Sequence, residues 1–338
     1  MVKIFNVFAI LTIIINLSCD NGVEPKTTIA FKAGPILFIS DKSEKKQLYS
    51  MNEDGSDIKQ LTNDSLFPIE YASWSTNGKK IAFTSYVGGV DHYGPTIYVM
   101  NADGTGRYKL LQSISPESSY FATGDKPTWS PNSNKIAFHR VMKPESMGNT
   151  ELFIIDVNSL HEERLTYTLN VTEVVDCWSN SGEYLYYSYF DYNARDSDGN
   201  YYADQLARIS LQNRTIDTLT KLNNGGSGAK ISPNDSAIAY SKFVFHSSSI
   251  GQQQEIQKMN IHTLIKQNLS THQYRNESVV GWFSSGSKIV YNAVKDNELP
   301  YHNPPMDIII IDANGDSLKI ISPFDYHTTY FYATSIKR

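Results

Sequence analysis

The stretch "YASWSTNGKKIAFTS" (71–85) sets two short apolar runs on either side of a tight polar turn, and the chain repeats it. "KPTWSPNSNKIAFHR" stands at 126–140, "VDCWSNSGEYLYYSY" at 175–189, "GAKISPNDSAIAYSK" at 228–242 and "VVGWFSSGSKIVYNA" at 279–293. A second pair of strands follows each hairpin after a variable polar stretch. It is clearest in "TIYVMNADGTGRYKLL" (96–111). Counterparts are "QLYSMNEDGSDIKQLT" (47–62), "ELFIIDVNSLHEERLT" (151–166), "QLARISLQNRTIDTLT" (205–220), "EIQKMNIHTLIKQNLS" (255–270) and "DIIIIDANGDSLKIIS" (307–322). The closing apolar residues Leu61, Leu111, Leu165, Leu219, Leu269 and Ile321 lie 50, 54, 54, 50 and 52 residues apart.

Six units of about fifty residues, four short strands each, predict an all-β, six-bladed β-propeller of four-stranded blades. The turn residues agree. "SPN" and "STNG" supply Pro at the second turn position and Asn or Gly where positive φ is wanted, and "ADG", "EDG" and "ANG" serve the second hairpin. Runs such as "KIAF" and "IYVM" are too apolar for one-sided strands, so both faces must be covered by neighbouring blades. Trp74, Trp129, Trp178 and Trp282 recur at one place in the unit, as wedges between blades would. The first unit starts at "ILFIS" (36–40) without a Trp-bearing inner strand, while "FYATS" near the C-terminus echoes "EYASW". That pattern predicts that the C-terminal segment 326–338 pairs with the first blade and closes the ring.

"WSPNSNKIAF", followed by "IYVMNADGT" and "LT", resembles the WD40-like repeat of TolB-type propellers. It lacks the Gly-His and Trp-Asp marks of true WD40 repeats and the paired glycines of kelch repeats. The resemblance covers about 36–338 and implies the fold. For function it implies less, because the same repeat builds peptidase and lyase propellers. TolB carries an α/β domain before its propeller, whereas only "DNGVEPKTTIAF" separates Cys19 from the first strand here, so a Tol-system role does not carry over directly.

The N-terminus is different material. Lys3 precedes an apolar run from Ile4 to Leu17, which as a helix reaches about 21 Å, short of a hydrocarbon core of about 30 Å. It reads as a signal-peptide core. Ser18 before Cys19 resembles the bacterial lipobox, with Asn16 as a departure from it. The expected division is a signal peptide at 1–18, a lipidated Cys19 with linker at 19–30, and the propeller at 31–338. An ordinary cleaved signal peptide and an uncleaved anchor are the alternatives. Export to the periplasmic or outer surface of a bacterial envelope, held by the lipid anchor, follows from the first reading. Cys177 would then be left without a cysteine partner, in an apolar strand where it serves as a small buried hydrophobe.

A formal net charge of −5 and the lack of any Lys/Arg run exclude a nucleic-acid partner. In a four-stranded blade, the second-to-third and blade-to-blade connections open on one face, and here those are the long ones. They include "YVGGVDHYGP" (86–95), "VMKPESMGN" (141–149), "FDYNARDSDGNYYAD" (190–204), "FVFHSSSIGQQQ" (243–254) and "VKDNELPYHNPPM" (294–306). Candidate ligand contacts on that face are His92, Tyr93, Arg140, Tyr192, Arg195, His246, Tyr301, His302 and His327. No HExxH and no Gly-Xaa-Ser-Xaa-Gly elbow occurs, and "DSDGN" (196–200) does not match an EF-hand register. The expectation is a monomeric, non-catalytic, cofactor-free propeller that binds an envelope protein or glycan through its long-loop face. The alternative is a metal-dependent, lyase-like, glycan-active enzyme using histidines of the same face.

Overall fold

A serine organises the first turn of most units. Ser75 N–H donates to Lys80 O at 2.8 Å, while Ser75 Oγ accepts Lys80 N–H at 2.8 Å and donates to Asn77 Oδ1 at 2.9 Å. Ser130 with Asn132 and Ser232 with Asn234 repeat the pattern at 2.8 Å each. The fourth turn residue needs positive φ, supplied by Gly78, Gly182 and Gly286, but also by Ser133 (59°) and Asp235 (54°). Those two side chains reach back to the preceding turn. Ser133 Oγ accepts Asn77 N–H at 3.0 Å, and Asp235 Oδ1 accepts Asn180 N–H at 2.9 Å. Such bonds offset the strain of a side chain in the left-handed region.

These turns connect antiparallel meanders. The first comprises β1 (Ile36–Ser40), β2 (Gln47–Met51) and β3 (Lys59–Gln60). Next come β4 (Ile69–Trp74), β5 (Lys80–Ser85), β6 (Thr96–Asn101) and β7 (Tyr108–Lys109). They are followed by β8 (Asp125–Trp129), β9 (Lys135–Val141), β10 (Thr150–Asp156) and β11 (Glu162–Arg164). Then come β12 (Val171–Trp178), β13 (Tyr184–Asp191), β14 (Gln205–Ser210) and β15 (Ile216–Thr218). β16 (Gly226–Ile231), β17 (Ala237–Phe245), β18 (Gln252–Asn260) and β19 (Lys266–Asn268) precede the last meander. That one holds β20 (Tyr274–Trp282), β21 (Lys288–Lys295), β22 (Asp307–Asp312) and β23 (Leu318–Ile321), and β24 (Phe331–Ile336) ends the described chain.

This computed structural model describes residues 34–63, 68–85, 95–111, 124–142, 149–194, 204–220, 225–245, 252–270, 274–295, 306–321 and 331–337, all within one unit spanning 32–338. No helix occurs among the described residues. The architecture is an all-β propeller. Its strands form four four-stranded sheets and one eight-stranded sheet, where the repeats predict six separate four-stranded blades. The difference has a local cause. Thr150 and Thr172 pair in parallel between β10 and β12, and Thr150 Oγ1 donates to Glu173 O at 2.5 Å while accepting Glu173 N–H at 2.7 Å. One threonine thus fuses two antiparallel meanders. At the other end of the chain, β24 pairs antiparallel with β1 from Ile36↔Ile336 to Ser40↔Phe331, with a bulge between Leu37 and Phe38.

Packing between meanders uses the tryptophans. Trp74 lies among Leu37, Ile39 and Leu48, Trp129 among Ile97, Val99 and Leu110, Trp178 among Ala137, Leu152 and Ile154, and Trp282 among Ala239, Ile256 and Leu269. Each therefore packs on the preceding meander. Three also donate their indole N–H backwards: Trp74 to Pro35 O at 3.1 Å, Trp178 to Thr128 O at 3.0 Å and Trp282 to Lys230 O at 2.8 Å. Trp129 Nε1 is the exception, without a partner among the described residues. The Thr or Ser that follows the closing leucine in four of the units also has a purpose. The hydroxyls of Thr62, Thr166, Thr220 and Ser270 accept the N–H of Leu48, Leu152, Leu206 and Ile256 at 2.9, 3.0, 2.9 and 2.7 Å. They tie the short outer strand to the strand that precedes it in its own meander.

Candidate binding face

Two groups of residues stand out, one at the long-loop ends of the described strands and one among the innermost strands. The first surrounds the connection from β11 to β12. Glu173, at the start of β12, is buried beneath it, accepting hydrogen bonds from Thr166 Oγ1 and, at 3.2 Å, from Thr168 Oγ1. Burial pushes its carboxyl up to about 7, with the nearby Glu151 adding to the shift and the two threonines opposing it. Arg164 grips the buried Glu151 with two hydrogen bonds, donates to Thr166 O at 3.0 Å and lays its guanidinium over the Tyr167 ring at 4.1 Å. Above this polar base the surface is apolar. Tyr167 is 73% and Leu169 79% exposed.

Tyr192 borders the same patch. It is 37% exposed, meets Phe190 edge-on at 4.9 Å, shares a hydrogen bond with Thr172 Oγ1 at 3.2 Å and donates its N–H to Asn170 O at 3.0 Å. Of the candidates drawn from the sequence, Tyr192 thus occupies an exposed position on the expected face. Arg140 does not. Its side chain is 5% exposed, forms a two-pronged ion pair with Glu162 at 2.5 and 2.7 Å, and lies over Phe138 and Phe153 at 5.3 and 4.6 Å. It holds two strands together and has no free surface to offer a ligand. His92, Tyr93, Arg195, His246, Tyr301, His302 and His327 lie outside the described residues, as does Cys19.

The second group lines a cavity of about 90 Å³ among the innermost strands, with the four tryptophans at one end and Tyr71, Ser73, Asp176 and Lys230 in its wall. Asp176 accepts Ser188 Oγ at 2.6 Å, and Lys230 Nζ donates to Asp176 O at 2.8 Å. Burial pushes the Asp176 carboxyl up to about 6, opposed chiefly by Lys230. The cavity is roomy and polar enough to hold a few waters. Cys177 also lines it, buried and without a disulfide. Among the described residues no group of three His, Cys, Asp or Glu side chains is placed to hold a metal ion.

Sequence reasoning missed Tyr167 and Leu169. The available signal was "LTYTLNV", in which two large apolar residues follow the closing "LT" after the core pattern of the unit has ended.

No family model matches the sequence. A stretch of 131 residues, 39% of this chain, is 25% identical to the protein TolB homolog of Chlorobaculum tepidum and spans 26% of that protein's length. The structure resembles crystalline TolB from Acinetobacter baumannii with a TM-score of 0.65 at 18% identity, covering 89% of this chain and 67% of the other. It resembles a putative TolB from Agrobacterium tumefaciens with a TM-score of 0.61 at 13% identity, covering 90% and 99%. The fold is a TolB-like β-propeller.

Proposed function

We propose that this protein is a non-catalytic, lipid-anchored propeller of the bacterial cell envelope that binds a protein partner through its long-loop face. The observation that carries the reading is the Tyr167–Leu169–Tyr192 patch. It exposes two large apolar side chains on a connection whose base is pinned by Glu173, Arg164 and Glu151. Rigid exposed aromatics give contact area at low entropic cost, and anchors of binding energy are commonly of this type. The TolB-like fold supports an envelope setting for such a surface. In this reading the ring has six blades, the eight-stranded sheet being two of them joined at Thr150, and β24 completes the first blade.

Cross-linking from this face in native envelopes, followed by affinity measurement with the captured partner, tests the proposal. Tyr167→Ala or Leu169→Ala should weaken binding by about 2 kcal/mol, roughly thirtyfold, with the melting temperature unchanged. Asp54→Ala, in a short turn on the opposite face, should leave affinity as it is. The reverse pattern would mean that the wrong face has been chosen. The anchor has its own test. Cys19→Ala should move the protein from the membrane to the soluble fraction, because the acyl chains of a lipoprotein are what hold it there. Unchanged membrane association would remove the lipid anchor from the proposal.

A further inference from the structure

The Tyr167–Leu169 surface rests on charges that do not balance among the described residues. On β9–β12, the carboxyls of Glu151, Glu162 and Glu173 meet the guanidiniums of Arg140 and Arg164. Arg140 takes Glu162, and Arg164 takes Glu151. Glu173 is left with hydroxyl donors, Thr166 Oγ1 and, at 3.2 Å, Thr168 Oγ1, both carried by the connection itself. Facing it from β13 are Tyr187 and Tyr189, phenols rather than cations. Glu173 and Glu151 are each 1% exposed. An ionised Glu173 is therefore a buried charge without a counter-ion, which costs stability until water or a cation reaches it.

The fold does not require a carboxylate at this place. Five residues before the tryptophan position, successive units carry Ile69, Gly124, Glu173, Gly226 and Glu277. Isoleucine or glycine serves in three of the five. The closing hydroxyl does not require one either. Thr62, the counterpart of Thr166, accepts Leu48 N–H as Thr166 accepts Leu152 N–H, yet it gives its own proton to the neutral Gln47 at 2.7 Å. Water is also close by. Tyr167 and Leu169 stand in solvent above Glu173, so lifting residues 166–170 brings water to the carboxylate. That motion would release Leu152 N–H from Thr166 Oγ1 and Tyr192 N–H from Asn170 O.

We propose that the proton on Glu173 fastens this connection: while it is held, residues 166–170 stay down on β12, and when it leaves, they lift and admit water. Burial in the fastened form pushes the carboxyl up to about 7, against 4.5 for a solvated glutamate. The fastened form thus has its full advantage below about pH 4.5 and loses it as pH rises through about 7. For the partner surface this makes binding tighter in an acidified envelope than in a neutral one, a consequence that rests on the function proposed above. The proton control itself does not rest on it.

Hydrogen exchange of the full chain, with no partner present, tests the control. The reporters are the amides of Leu152 and Tyr192. The internal reference is the amide of Leu48, held by Thr62 Oγ1 in the first meander, because the intrinsic rise of exchange with pH is common to all three. Between about pH 5 and about pH 7.5, Leu152 and Tyr192 should gain roughly tenfold or more in exchange over Leu48. Glu173→Gln, which cannot ionise, should abolish that gain and keep both amides slow. If the reporters rise no faster than Leu48 in the unmodified protein, or if Glu173→Gln leaves the gain intact, Glu173 does not fasten the connection. Neither result alters the affinity expected of Tyr167→Ala or Leu169→Ala, so the partner surface and its control fail separately.

Discussion

Glu173 is placed where a carboxylate is costly. It is 1% exposed, its neighbours donate hydrogen bonds to it, and Glu151 stands close enough to repel its charge. The folded state therefore holds its proton up to about 7, above the ordinary 4.5. A carboxyl raised in this way contributes fully below about pH 4.5, and that contribution is lost as pH rises through about 7. Glu173→Gln keeps the size and most of the bonding while removing the titration. Its melting temperature, compared with the unmodified protein, should climb steadily across that window, toward a gain on the order of 2–3 kcal/mol at alkaline pH. Taking the difference between variant and parent cancels Asp176, which is raised in the same direction. A difference that stays constant with pH would show that Glu173 is ionised in the fold throughout.

At the scale of strands and turns, the hairpins were legible because local and global demands agree there. "SWSTNGKKIAF" gives the serine-led turn its hydroxyl, asparagine and glycine, and its apolar residues fill both faces of a covered strand. The tryptophan wedge was legible for the same reason. The fusion of two meanders was not. It rests on a single Thr150–Thr172 pairing, beside which the Thr150 hydroxyl bonds the backbone of Glu173, and no repeat pattern encodes a contact between units. Arg140, expected at the end of its strand on the ligand-facing side, is buried instead. Period two from Ile136 through Phe138 puts it on an inward face, and Glu162 on β11 supplies the partner that lets it stay buried. Tyr167 and Leu169 escaped attention because the blade-to-blade connection holding them is short, and length had been the guide to the functional face.

For the whole molecule, the question is what happens where the first and last described strands meet. β24 lies beside β1, and its Ala333 and Ile336 share a buried cluster with Ile36 and Phe38 on one side and Val280 and Val290 on the other. Asn292, itself buried, clasps Ala333 twice, donating to its carbonyl and accepting its N–H at 2.8 Å each. Deleting residues 331–338 would expose this cluster and leave β1 with an unpaired edge. The burial of Ile336 alone is worth about 2–3 kcal/mol, and the lost strand pairing adds to it, against a total stability of about 5–15 kcal/mol. The truncated chain should unfold at lower urea concentration and elute partly as aggregates, because an open edge pairs with other chains. A gentler cut at the same junction guards against a variant that simply fails to fold. Asn292→Ala removes both side-chain bonds from the buried backbone of Ala333 and should cost about 2 kcal/mol in urea unfolding with the slope unchanged. If Asn292→Ala and the truncation both unfold at the same urea concentration as the full chain, β24 does not close the ring in solution.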